Sequence, residues 1–122
     1  MISYTADYEA LAMRTAPGAE TIEITTQQKR LLLGALGCCG EAGEVAEMVK
    51  KHVFHGHVFD ATSVEKLVKE LGDVLWYITY LAHHNGAQLS TVMNANISKL
   101  TARYPEGFFT SDRSKNRAEG DV

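Results

Sequence analysis

Four carboxylates stand out by type and spacing. Glu41 and Glu44 are three residues apart, and after 25 intervening residues Glu70 and Asp73 repeat the interval. On a helix, side chains three apart project to the same side about one turn from each other. Two such helices lying side by side would gather four acids into one site. Two unit charges 4 Å apart cost about 4 kcal/mol at an effective dielectric of 20, so the cluster calls for a positive partner. A hard divalent cation supplies one, because Mg²⁺ takes oxygen ligands, keeps several waters and couples to substrate phosphates. The competing arrangement is a solvated face on which Glu41, Glu44 and Glu47 pair with Lys50 and Lys51 three or four positions along. Two pairs at matched spacing, one of them flanked by glycines, favour the metal.

The elements that must position these acids follow from apolar periodicity. A first short helix is expected over residues 3–14, where Tyr4, Tyr8, Leu11 and Ala12 recur at helical spacing before Pro17-Gly18. The alternation in residues 19–25 has no partner strand in sight and reads as a connector. A long helix should run from near Thr26 to about Phe54, its stripe made of Leu31, Ala35, Cys38, Ala42, Val45, Ala46, Val49 and Val53. Gly34, Gly37, Gly40 and Gly43 step through it by threes, and an interior glycine costs roughly 0.8–1 kcal/mol relative to alanine. Such a row implies close approach of something to the backbone, either a neighbouring helix or a ligand beside Glu41 and Glu44.

Gly56 is a candidate C-cap, and Thr62-x-x-Glu65 has the form of a capping box for the next helix. That helix carries Val64, Leu67, Val68, Leu71, Val74, Leu75, Ile78, Leu81 and Ala82 on one stripe and stops at Asn85-Gly86. Glu70 sits at the stripe's edge and Asp73 opposite, with Trp76, Tyr77 and Tyr80 completing a surface that is apolar or aromatic nearly all round. A helix of this kind is covered on more than one side, by the bundle plus an oligomer contact or by a ligand pocket, and it is apolar on too many sides for a lone bundle. A fourth helix should start at Ser90 as N-cap, face Val92, Met93, Ile97 and Leu100 inward, and end at Pro105. After Phe109 the composition is that of a polar, mobile tail. The reading is thus an all-α bundle of four to five helices over residues 1–109, followed by a tail over 110–122.

A chain of 122 residues has room for one domain. With 45% hydrophobic residues, 22% charged and two prolines, it suits an ordered, largely helical protein. No long uncharged apolar run marks a membrane span and no leader pattern opens the chain, so a cytoplasmic location is expected. A net charge of −3 without a Lys/Arg block in the first hundred residues argues against a groove for nucleic-acid polymers but leaves single nucleotides open. Adjacent Cys38 and Cys39 diverge on a helix and read as small buried hydrophobes in a reducing compartment. None of the histidines has the i, i+4 spacing of a helical zinc site. Phosphate-loop, dinucleotide and nucleophilic-serine fingerprints are absent.

Taken together, CCGEAGEVAEMVKK, VKELGDVLWYITYLA and NISKLTARYPEGF resemble the MazG-like nucleoside triphosphate pyrophosphohydrolases of the all-α pyrophosphatase superfamily. The resemblance spans roughly residues 30–109, in a single-module form. It implies a helical homodimer or homotetramer that binds Mg²⁺, with Mn²⁺ as a substitute, through Glu41, Glu44, Glu70 and Asp73. It further implies cleavage of a nucleoside triphosphate between the α and β phosphorus atoms, giving monophosphate and pyrophosphate. Glu41 or Glu44 would take the proton of the attacking water. By family position Lys99 and Arg103 would bind phosphates and Asn96 would hydrogen-bond the substrate, with Lys50 and Lys51 as further phosphate candidates. Trp76 and Tyr77 would border the base or else belong to the core. Two other readings stay open: a non-enzymatic helical assembly module stabilised by a metal, and a related phosphohydrolase acting on phosphoribosyl-ATP.

Overall fold

The structure is a computed structural model that describes residues 5–18 and 23–117. Among these residues there are five helices and no strand: α1 (Thr5–Met13), α2 (Thr26–His55), α3 (Ala61–His84), α4 (Leu89–Arg103) and α5 (Ser111–Lys115). The all-α expectation is met. Parts of the expected first helix and of the 19–25 connector lie outside the described residues. Among the described residues, no helix is long and apolar enough to cross a membrane.

Each long helix is closed by local chemistry. At the start of α2, Thr25 Oγ1 accepts from the Gln28 amide at 3.1 Å while Gln28 Oε1 accepts from the Thr25 amide at 2.7 Å. This reciprocal box satisfies two backbone donors that a helix start leaves open. Gly56 ends α2 with φ 69°, a left-handed conformation that a residue without Cβ adopts freely. The box expected at Thr62 does not form. The cap of α3 is Asp60 instead, whose Oδ1 accepts from the Ser63 amide at 3.0 Å, and Ser63 Oγ donates to the carbonyl of Val58 in the connector at 3.1 Å. Aspartate is the better acceptor because its charge also faces the positive end of the helix dipole. Likewise α4 starts after Gln88 with no side-chain cap, rather than at Ser90. Downstream, Thr110 caps the short α5 and Arg113 pairs with Glu106 at 3.2 Å, so part of the region with tail-like composition is helical.

α2 and α3 form an antiparallel hairpin across residues 56–60 and make the main packing of the chain, whereas α4 packs on α3 much less extensively. The register steps along the pair. Gln27 Nε2 donates to the carbonyl of His84 at 2.8 Å, Gly34 lies against Leu81 and Tyr80, Gly37 against Tyr77, and Glu41 then faces Glu70 and Asp73. The glycine row therefore divides. A methyl at Gly34 would sit 2.6 Å from Leu81 Cγ and Cδ2, but at Gly40 and Gly43 it would meet nothing within 4 Å.

Among the described residues very little is buried. Ala82 is the one hydrophobic residue there that is hidden from solvent, and Leu36, Val68, Met93 and Ile97 are each at least 60% exposed. Cys38 is half-buried and Cys39 exposed, both as free thiols, so the expectation of two buried cysteines is not met within one chain. The accessible surface is 9865 Å², against about 6,500 Å² for a compact monomer of this mass. Helical propensity and one hairpin seam do not hide the apolar stripes that the sequence carries.

Alanine at Gly34 should lower the urea midpoint, because overpacking costs about 1–3 kcal/mol and exceeds the roughly 1 kcal/mol gained in helix propensity. Alanine at Gly72, where a methyl meets nothing within 4 Å, should raise it. The Asp60 cap carries a pH signature as well. Hydrogen bonding from the Ser63 amide holds the Asp60 carboxyl below its ordinary value, so its contribution is complete above the unfolded-state pKa of about 3.9. That contribution is lost as pH falls through the folded-state value. Thermal melts of Asp60→Ala should thus show a deficit at pH 7 that shrinks at pH 2–3.

Candidate active site

Helical spacing and the hairpin register together create the acidic site. Glu41 on α2 and Glu70 and Asp73 on α3 each offer a carboxylate oxygen, and the three oxygens lie within 4.8 Å of one another. Glu41 and Glu70 are half-buried, Asp73 is exposed. Asp73, which the helical wheel puts away from the main stripe, joins the others because α3 turns its aromatic side towards α2 at Gly37. Glu44, one turn along from Glu41, is exposed and stands outside this group of three.

The acids do not belong to a mutually neutralised surface. Lys50 and Lys51 both pair with Glu47, Lys51 at 3.4 Å, and these contacts hold the Glu47 carboxyl below its ordinary pKa, with the Lys50 hydrogen bond as the leading cause. No ion pair reaches Glu41, Glu44, Glu70 or Asp73 among the described residues. The solvated-face arrangement thus applies to Glu47 alone. Three hard oxygen donors at this separation suit a divalent cation that completes its shell with water and substrate oxygens, so the residues present fit a metal of the Mg²⁺ type.

A cavity of about 390 Å³ opens beside the acids, lined by Glu41, Asp73, Trp76 and Tyr77. All four come from α2 and α3. Trp76 packs edge-on to Tyr77 with ring centroids 4.9 Å apart and stacks on Tyr80 at 5.4 Å, yet it remains 57% exposed. It is a wall of the cavity and not a core residue of the single chain. Tyr77, half-buried against α2, is the lining residue that spacing alone left between core and site.

The third group of candidate residues lies elsewhere. Asn96 and Lys99 are exposed on α4, Arg103 is half-buried at its end, and none of them lines the acidic cavity. The histidines also stay apart from the acids in sequence and bonding: His52 Nδ1 is 2.8 Å from the His57 carbonyl, and His83 and His84 contact each other and Tyr80 at the end of α3. The structure therefore joins acids and aromatic residues in one chain and leaves the cations of α4 outside their cavity.

The MazG nucleotide pyrophosphohydrolase domain matches residues 29–108, which takes in nearly all of α2, all of α3 and α4, and every acid of the site. The "Gene 37 protein" of Mycobacterium phage L5 is 41% identical over 73 residues, covering 59% of this chain and 64% of the relative, so the chain spans somewhat less than two thirds of that relative's length. No solved structure matches. With a family match over most of its length, the chain belongs to the MazG nucleotide pyrophosphohydrolase family.

Proposed function

We propose that this protein hydrolyses a nucleoside or deoxynucleoside triphosphate at the α–β phosphoanhydride, in a divalent-metal-dependent reaction in the cytoplasm. The observation that carries the reading is the convergence of Glu41, Glu70 and Asp73 at the mouth of a cavity walled by Trp76 and Tyr77. Glu41, Glu70 and Asp73 would hold Mg²⁺ or Mn²⁺, joined by Glu44 from the same helix face. When bound, such an ion neutralises phosphate oxygens and lowers the pKa of a coordinated water.

The chain's own groups do the rest. Glu41 or Glu44 accepts the proton of the attacking water as its oxygen bonds to the α phosphorus. The bond from that phosphorus to the bridging oxygen breaks, and pyrophosphate leaves with the bridging oxygen. One water is consumed for each monophosphate and pyrophosphate formed, and the proton passes from the carboxylate to solvent. Trp76 borders the base. Lys99 and Arg103 bind phosphates and Asn96 hydrogen-bonds the substrate, with Lys50 and Lys51 available once they release Glu47.

That role for α4 goes with self-association. Large apolar side chains such as Leu36, Val53, Val68, Met93 and Ile97 stay exposed on three helices, and contiguous apolar surface of this kind is what a partner subunit covers. A homodimer or homotetramer would cover the exposed stripes of α2, α3 and α4 and bring α4 of one copy towards the acids of another.

Purified protein should release pyrophosphate and monophosphate from at least one member of a (d)NTP panel with Mg²⁺ or Mn²⁺, and not with EDTA. Glu41→Gln should lower turnover by about a hundredfold or more, the scale of a general-base or metal-ligand loss. Metal binding without consumption of any nucleotide would favour an assembly module. Separately, Asp73→Asn should raise the Tm of the metal-free protein, since it removes one of three crowded charges, and should abolish the rise in Tm that Mn²⁺ gives the parent. Light scattering at micromolar concentration should give a dimeric or tetrameric mass; a monomer would count against self-association.

A further inference from the structure

Gly37 is placed to do more than admit a neighbouring helix. A methyl there would overlap Cδ1, Cε1 and Cζ of Tyr77, so the phenol ring rests in a notch on α2 that only a glycine leaves open. One residue along, Trp76 meets that ring nearly perpendicularly, at 86° and 4.9 Å, while Tyr80 stacks on it at 21° and 5.4 Å. Tyr80 is held in turn beside Gly34, where a methyl would lie 3.3 Å from its Cδ1. Trp76 is thus bracketed by two rings, each seated on a glycine of α2. It is nevertheless 57% exposed and lines the acidic cavity with Tyr77.

An exposed indole has rotamer freedom that two flanking aromatic contacts take away, and edge-to-face and offset-stacked pairs are directional. We propose that Gly37 and Tyr77 are positioning residues: the notch at Gly37 seats Tyr77 so that Trp76 is fixed at the mouth of the acidic cavity, ready for the planar base of a nucleotide. This inference rests on the proposed function for the identity of the ligand. It assigns the second glycine of the row a role in substrate binding, which the same glycine would not have as a packing contact alone.

The chain contains one tryptophan, so its fluorescence reports on Trp76 directly. The experiment compares the parent, Gly37→Ala, Tyr77→Leu and the double variant, measuring emission without nucleotide, Mn²⁺ affinity, and KM and kcat for the best substrate of the panel. Tyr77→Leu should shift the emission maximum and raise KM by about tenfold, the scale of one lost base–aromatic stack, while kcat falls less than about threefold and Mn²⁺ affinity holds. Gly37→Ala should shift the emission and raise KM at least as much, and should lower Mn²⁺ affinity as well, because its methyl displaces α3. The double variant relieves the overlap, so it should recover Tm but not KM, which separates positioning from folding. Parental KM and emission in Tyr77→Leu, or recovery of KM together with Tm in the double variant, would overturn the inference. An inactive parent would instead overturn the proposed function, and an unchanged emission in Gly37→Ala would then still reject the positioning role.

Discussion

The close approach of α3 to the glycine face of α2 is the constraint on which the rest depends. Gly34 and Gly37 let Leu81 and the rings of Tyr80 and Tyr77 lie against the α2 backbone. That contact fixes both the separation and the rotation of the two helices. Once it is made, Glu41, Glu70 and Asp73 converge without any further device. The seam is favourable packing, and the carboxylates are the unfavourable charge that it holds in place. Stability made at one end of the hairpin is offset by repulsion a turn away, a trade common to sites that bind cations.

The same seam explains why Asp73 lies beside Glu41 and Glu70. On the wheel of α3 it lies opposite the longest apolar stripe, with Tyr77 one turn further along. α3 uses that second face, not the first, against the acidic stretch of α2, and its larger stripe with Val68, Leu71 and Leu75 is left largely exposed. A helix that is apolar on two sides can serve two neighbours at once. Here one neighbour is within the chain.

Much of this was legible in the sequence, for identifiable reasons. α2 and α3 are long and strongly periodic, and their ends carry Gly56 and Asn85-Gly86, so their extents were read to within a residue or two. The acids were found because a spacing of three on a helix has a geometric consequence. The start of α3 was misplaced because Asp60 competes with nearby Thr62, and the hydrogen bonds of Ser63 to Asp60 and to the Val58 carbonyl make the choice; α4 starts after Gln88 with no side-chain cap for the sequence to signal. The division of the glycine row was not legible either. Four glycines with one spacing look alike until the register of α3 decides that two are covered and two are open. Nor could exposure be read, since a periodic stripe says that a face wants cover and not what supplies it.

The hairpin also bears on the order in which the molecule takes shape. All the gathered acids and both lining aromatic residues lie on two consecutive helices joined by the five residues 56–60. Their contacts close between neighbouring helices with no other element in between, and because loop-closure entropy grows only slowly with loop length, even the Gln27–His84 pair at the far end adds little to that cost. During synthesis, α2 and α3 are both complete before α4 is made. α4, which follows them in the chain, packs on α3 and contributes no residue to the cavity beside the acids.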